Sequence, residues 1–249
     1  MNCRYKVSIV SYLNTIPFLY GIKETGMINK IQLEYDYPSK CAEKLINNNV
    51  DLALVPVVVI PKIKNSFIIS DYCIGAEGPV ESVCLFSNEP IHKIKCIHLD
   101  YQSRTSIELL KLLCRSYWKV NPQFLNLEFN NELSLFDYES ILIIGDRAFD
   151  AKYRFKYSYD LSKVWSDYTA LPFVFACWVA NKKLSKDFIN EFNKSLCLGV
   201  SNIRKSLCLI PEVKNKEIDT WHYLNNCISY SLDAKKKLGM NSFFSQINL

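Results

Sequence analysis

The chain has 249 residues, a formal net charge of +5, 49% hydrophobic residues and 22% charged ones, which excludes a disordered chain and supplies apolar mass for one large or two small domains. Its lysines and arginines are scattered and no nucleic-acid-binding motif is present, so no nucleic-acid partner is expected, while the mild positive excess is compatible with a small anionic ligand. No stretch is long and apolar enough to span a membrane, and the first twelve residues, MNCRYKVSIVSY, lack a signal peptide's apolar core. The expectation is a cytoplasmic protein whose ten cysteines are reduced thiols, with Cys84, Cys114 and Cys177 in the core. Without a CxxC pair or HExxH, and with only His92, His98 and His222, neither a structural nor a catalytic zinc site is expected.

Lys6 to Val10 predicts a short strand running into Ser11-Tyr12-Leu13-Asn14-Thr15-Ile16-Pro17-Phe18. Ser11 and Asn14 then sit at the strand's carboxyl end, where open α/β sheets bind ligands. Pro17 suits the first turn of a helix that Asn14 would equally well cap. Ile31 to Tyr37 alternates as a second strand, Pro38-Ser39 opens a helix with Ala42, Leu45 and Ile46 on one side, and Asp51 to Val57 is a continuous apolar strand. Together they predict a βαβ unit with a right-handed crossover.

Ile68 to Tyr72, the loop Gly75-Ala76-Glu77-Gly78-Pro79 and Val80 to Phe86 predict strand, turn and strand, a tight hairpin. Two glycines beside a proline imply positive φ or close approach to a ligand. The exit strand puts Glu81, Val83 and Leu85 on one face and Ser82, Cys84 and Phe86 on the other, so Ser82 is a small polar group just past a loop of free amides.

Asn88-Glu89-Pro90 marks a crossing, followed by a strand at Cys96 to Leu99 and a helix carrying Ile107, Leu110, Cys114 and Tyr117 at helical spacing. Ser103, Arg104, Thr105 and Ser106 crowd the start of that helix. Ser103, Thr105 or Ser106 could serve as a plain N-cap, but one cap needs one hydroxyl and not three, so the cluster favours an anion site at the helix start. Gln123 to Phe129 predicts a strand, Leu133 to Phe136 a short helical piece, and Ser140 to Ile144 a strand ending in Gly145-Asp146-Arg147, with Asp146 read first as a helix cap.

Tyr153 to Tyr159 predicts edge structure, Asp160-Leu161-Ser162 begins a helix through Trp165, and Thr169 to Phe173 breaks it. Val174 to Ala180 predicts a return strand between lobes. From Ser185, an expected N-cap, the chain reads as helical to its end, with breaks at Pro211 and near Lys214, a stop at Gly239 and a solvated Lys235-Lys236-Lys237 face. The fold class that follows is α/β, with two lobes and a ligand cleft between them: residues 1–88, an inserted lobe of 89–173, and a return over 174–249. Connections are expected near Ser87 to Pro90 and near Phe173 to Val179. Ser11, Asn14, Gly78, Ser82, Ser103 to Ser106 and Asp146 would point into the cleft.

SYLNTIPF (Ser11 to Phe18), DLALVPV (Asp51 to Val57), GAEGPVESV (Gly75 to Val83), SRTS (Ser103 to Ser106), IGD (Ile144 to Asp146) and WSDYTALPFVFACWVA (Trp165 to Ala180) resemble, in order and over nearly the whole chain, the chorismate dehydratase family of the futalosine route to menaquinone. The resemblance implies a type II periplasmic-binding-protein-like fold and the conversion of chorismate to 3-[(1-carboxyvinyl)oxy]benzoate with loss of water, a reaction needing no redox cofactor or metal. It implies Asn14 and Ser82 in catalysis, orienting the ring and the leaving hydroxyl. Around the substrate, a dicarboxylate, it implies Ser11, Gly78, Pro79, Val80, Ser103, Arg104, Thr105, Ser106, Asp146 and Phe173.

Ala170 and Asn49 stand where the family usually has glycine, and Phe149 where leucine is usual. The matched motifs present no histidine or lysine, so the proton acceptor is Asp146, Glu77 or, as the favoured route, the substrate's own enolpyruvyl carboxylate. Two other readings stand beside this one: a non-catalytic cytosolic small-anion-binding protein of the same fold, and the related 1,4-dihydroxy-6-naphthoate synthase, which typically presents a catalytic histidine. A homo-oligomer is compatible with this sequence.

Overall fold

The computed structural model describes residues 4–127, 135, 137–209 and 219–247. A first sheet contains β1 (Tyr5–Val10), β2 (Ile31–Asp36), β3 (Leu52–Pro56), β4 (Phe67–Ala76), β10 (Phe173–Ala180) and β11 (Ser229–Ser231) in the order β11-β4-β10-β3-β1-β2. The second contains β5 (Val83–Ser87), β6 (Cys96–Leu99), β7 (Gln123–Asn126), β8 (Ser140–Ile144) and β9 (Tyr157–Asp160) in the order β7-β6-β8-β5-β9. The described helices are α1 (Ile16–Glu24), α2 (Pro38–Ile46), α3 (Thr105–Leu113), α4 (Arg147–Ala151), α5 (Leu161–Thr169), α6 (Lys186–Val200), α7 (Ile203–Ser206), α8 (Thr220–His222) and α9 (Ala234–Gln246).

β2 and β3 both pair parallel to β1, so α2 carries the chain across β1 as the expected βαβ unit. Every residue of β3 is buried, as its unbroken apolar run requires. β10 is antiparallel to both β3 and β4 and lies wholly inside the first sheet. The anticipated crossing within Phe173 to Val179 is thus corrected: the strand is a central member of one sheet, and the chain returns just before it.

The hairpin expected over Ile68 to Phe86 is not one. β4 belongs to the first sheet, whereas β5 pairs antiparallel with β8 and β9 in the second. Residues 77–82 are therefore the connection between sheets, several residues before the crossing expected at Ser87 to Pro90. Gly75 lies within β4, and Gly78 has ordinary φ and open space where a Cβ would stand. The left-handed backbone falls instead on Glu81, at φ 62°. Two amides donate to one carboxylate to hold it there, Val80 N at 2.8 Å and Glu81 N at 2.6 Å from Asp160 Oδ2. The other oxygen of Asp160 accepts from Ser162 N and Lys163 N, both at 3.0 Å, and so caps α5. Beyond the connection, Leu85 faces the main core, while Cys84 and Phe86 face a smaller cluster with Ile141 and Ile143.

Several other expectations change in the same way. Asn14 caps nothing; the residue before α1 is Thr15, whose hydroxyl turns back to Val10 O at 2.7 Å and Tyr12 O at 2.8 Å. α9 runs through Gly239, where a Cβ would lie 2.2 Å from Pro172 O, so that glycine marks close packing and not a stop. Lys236 is buried rather than solvated, its ammonium 2.9 Å from Glu77 Oε1 and 3.2 Å from Asp233 Oδ2. Ala170 holds a left-handed conformation at φ 57°, the geometry that glycine adopts without strain. Apart from Leu135, the expected helical piece at Leu133 to Phe136 lies outside the described residues, as do the end of the strand expected to reach Phe129 and the breaks at Pro211 and Lys214. Among those described, the cysteines are free thiols and no helix is long and apolar enough to cross a membrane.

α1 and α6 cross backbone against backbone: a Cβ on Gly21 would stand 1.8 Å from Ser195 O, and one on Gly199 would stand 1.8 Å from Pro17 O. Alanine gains about 1 kcal/mol in helix propensity over glycine, but here it must push two helices apart. Gly21→Ala is therefore expected to cost about 3 kcal/mol, the upper end for overpacking, read as a lowered midpoint in urea unfolding.

Candidate active site

The carboxyl ends of β1, β3 and β8, the sheet-to-sheet connection, the start of α3 and the middle of β10 enclose one cavity. Its apolar lining includes Val10, Leu54, Pro56, Ile74, Val80 and Phe175, and its polar lining Tyr12, Asn14, Ser82, Ser103, Arg104, Thr105 and Ser106. The cavity volume is about 50 Å³. The lobes are together in this structure. Leu13 N donates to Asp146 Oδ1 at 3.0 Å, Ser39 Oγ to Tyr101 O at 3.0 Å, and the Tyr12 hydroxyl to Gln102 Oε1. Gly145, at φ 71°, lies flat beneath the Tyr12 ring, where a Cβ would come within 2.6 Å of Cζ.

Asn14 sits in a tight turn, Leu13–Thr15, whose backbone is pinned by the Thr15 hydroxyl and by Tyr230, which donates to Asn14 O at 3.0 Å. The side chain is buried and its Oδ1 has no hydrogen-bond partner among the described residues. Leaving such an acceptor unpaired costs about 1–3 kcal/mol, and Asn14 lines the cavity. Across from it, Ser82 is buried and its Oγ accepts from the Tyr223 hydroxyl at 2.8 Å. Burial pushes the Tyr223 pKa up, against the lowering effect of the Ser82 and Asn14 side chains, so the phenol keeps its proton. Ser82, being the acceptor in that bond, retains its own O–H to donate.

The expected cap hydroxyls at α3 do not cap it. The N-cap is Arg104, without a side-chain cap bond, so the first amides of α3 are left for another acceptor. Thr105 is committed to structure: its Oγ1 donates to Phe175 O at 3.1 Å and accepts from Val58 N at 3.4 Å. Ser103 and Ser106 line the cavity with no hydroxyl partner among the described residues, and the exposed Arg104 stands at its edge. Under this loop, buried Asp100 accepts from Gln102 N at 3.0 Å, Ile144 N at 3.1 Å and Arg147 Nη2 at 2.6 Å. That carboxylate fixes the α3 approach to the end of β8.

Ser11, Gly78, Pro79, Asp146 and Phe173 do not line the cavity. Ser11 is exposed and its amide continues the sheet to Asp36 O at 2.9 Å. Gly78 and Pro79 lie on the outer part of the connection, with Pro79 exposed. Asp146 occupies the residue before α4 but reaches across to Leu13 instead of capping. Phe173 packs one layer behind, its ring 4.8 Å from that of Phe175, which takes the lining position.

Glu77 is outside, bonded by Ser229 Oγ and Lys236 Nζ, both at 2.9 Å, which hold its carboxyl below the usual range. Among the described residues, the cavity is lined by no aspartate, glutamate, histidine or lysine. His98 packs on Tyr138 with ring centroids 4.1 Å apart, and His92 and His222 are also absent from the lining. Tyr12, Tyr223 and Phe175 were not foreseen as site residues. Tyr223 stands 141 positions from Ser82 and has no local motif. Phe149 lies edge-on to Tyr223 at 4.9 Å, so the phenylalanine after the IGD motif supports this same wall.

A family model described as menaquinone biosynthesis matches residues 5–248. A chorismate dehydratase from Thermus thermophilus is 25% identical over 270 residues, covering 98% of this chain and 96% of that relative. Among solved structures, a protein from Archaeoglobus fulgidus superposes with a TM-score of 0.77 at 14% identity, covering 98% of this chain and 96% of that one. A Candida albicans protein described as exhibiting the generic periplasmic-binding-protein fold gives 0.64 at 11%, covering 99% and 92%. These likenesses fix the fold as periplasmic-binding-protein-like.

Proposed function

The chain belongs to the menaquinone biosynthesis family, and from that membership we propose that it is a chorismate dehydratase, a hydro-lyase that eliminates water from chorismate in the cytoplasmic futalosine route. The observation that carries the mechanism is the cavity's inventory: fixed hydrogen-bonding groups in apolar walls, and no side-chain base among the described residues. An elimination driven by aromatisation suits such a site, provided the substrate brings its own proton acceptor.

In this reading the ring carboxylate lies against the first amides of α3 with the Ser103 and Ser106 hydroxyls, and Arg104 supplies charge from the cavity edge. As the C3–H bond breaks, its electron pair spreads through C2 and C1 into that carboxylate. Donors there are worth more in the transition state than in the ground state. The substrate's enolpyruvyl carboxylate accepts the C3 proton. The pair then returns to form the C3–C4 double bond as the C4–O bond breaks. Ser82, held by Tyr223, donates to the departing oxygen, and the proton taken from C3 completes the water. Asn14 Oδ1 accepts from the C4 hydroxyl and sets the ring's face.

Purified protein mixed with chorismate alone is expected to yield an aromatic product lighter by one water in mass spectrometry. Unchanged chorismate that nevertheless raises the unfolding temperature would overturn the enzyme reading in favour of a small-anion-binding protein.

A further inference from the structure

On the outer side of the sheet-to-sheet connection, away from the cavity, Glu81, His222 and Cys227 bring a carboxylate oxygen, an imidazole nitrogen and a thiol sulfur within 4.8 Å of one another. We propose that these three side chains form a zinc-binding site that fastens the connection to the turn bearing Tyr223.

Two local distortions create the cluster. Glu81 takes its left-handed φ of 62° because Asp160 binds its amide and that of Val80. Non-glycine residues pay for that conformation, and such costs concentrate where a position is used. On the other side, Tyr223–Cys227 is wound as a π-helical turn, closed by Ile228 N donating to Tyr223 O at 3.2 Å. An i to i+5 turn brings residues five apart onto one side, and His222 and Cys227 are five apart. Linear spacing carries no sign of this, because the carboxylate comes from a remote segment.

The donor set selects the metal. A thiolate and an imidazole with one carboxylate suit zinc and its close relatives, whereas calcium and magnesium take oxygen shells. Ligand atoms around a tetrahedral zinc stand roughly 3.3–3.8 Å apart given its bond lengths, so modest side-chain rotation closes the set. His222 is exposed and Cys227 buried, which leaves the fourth position open to water on the solvent side. Binding requires Cys227 to release its proton to solvent. Because Glu81 precedes Ser82 and His222 precedes Tyr223, the metal would clamp the same two segments that the Ser82–Tyr223 hydrogen bond joins.

Cobalt(II) titrated into the reduced full-length protein tests this. One equivalent is expected to bind with a thiolate-to-cobalt charge-transfer band in the near ultraviolet, and zinc is expected to displace it. Cys227→Ser should abolish the band. His222→Ala, at an exposed position that does not threaten folding, should weaken binding at least tenfold. A Cys197→Ser, Cys208→Ser double variant, lacking two exposed thiols, should bind as the parent does. A band that survives Cys227→Ser, a band lost in the double variant, or no saturable binding would each overturn the site.

Discussion

Asn14→Ala is expected to lower kcat for chorismate about a hundredfold or more while leaving the unfolding midpoint unchanged or slightly raised. The two halves come from the same atom. Oδ1 is buried with no hydrogen-bond partner among the described residues, so deleting it breaks no hydrogen bond that holds the described fold together. A fixed polar group of this kind, facing reacting atoms in an apolar enclosure, is worth about 10²–10³ in rate when removed. The turn itself is held by Thr15 and Tyr230 through backbone atoms, so it survives truncation of the side chain. Steady-state kinetics beside a thermal melt checks the claim. A variant that turned over at the parent rate, or that lost stability in step with activity, would remove Asn14 from the chemistry.

Gly145→Ala should disable the protein by a different route, through the meeting of the two lobes. The residue has φ 71°, and its Cβ would lie 2.6 Å from the Tyr12 ring. The left-handed conformation alone costs an alanine roughly 1–2 kcal/mol, which a domain of this size tolerates. The clash adds to this, because the Tyr12 ring is tied to Gln102 and must break that bond to withdraw. The lobes would then stand about an ångström too far apart, and displacement of that order costs about a hundredfold in an oriented reaction. Small-angle scattering should show a larger radius of gyration than the parent, with both lobes still folded by circular dichroism. Tyr12→Ala in the same chain should restore compactness. Parent-like activity and dimensions in Gly145→Ala would show that closure does not pass through this contact.

How much of this was legible depended on how far away the deciding partner lay. The strand at Asp51 to Val57 and the amphipathic helix before it follow from local pattern, and both stand where the pattern put them. Ser185 caps α6 as its position foretold, and the helix expected to begin at Asp160 does begin there, with Asp160 as its cap. The hairpin failed because Val83 to Ser87 pairs with residues over fifty positions downstream, and no turn signal reveals that. Glu77 looked chemical from its loop, yet its partner Lys236 is 159 residues on. The three hydroxyls at α3 were legible as a cluster. That Thr105 spends its hydroxyl on Phe175, leaving Ser103 and Ser106, depends on a strand from the far side of the chain.

Asp160 joins more than its own helix. One oxygen takes both amides of the outgoing connection at Val80 and Glu81; the other seats the first turn of α5, and the last turn of α5 opens into the returning connection before β10. That helix is therefore a strut pinned between the two chain crossings, and Trp165 donates to Pro172 O at 3.2 Å to brace its far end. Two crossings tied to one rigid bar cannot bend independently. α5 thereby holds the two crossings in one frame, and the loss of the Asp160 carboxylate would loosen both at once.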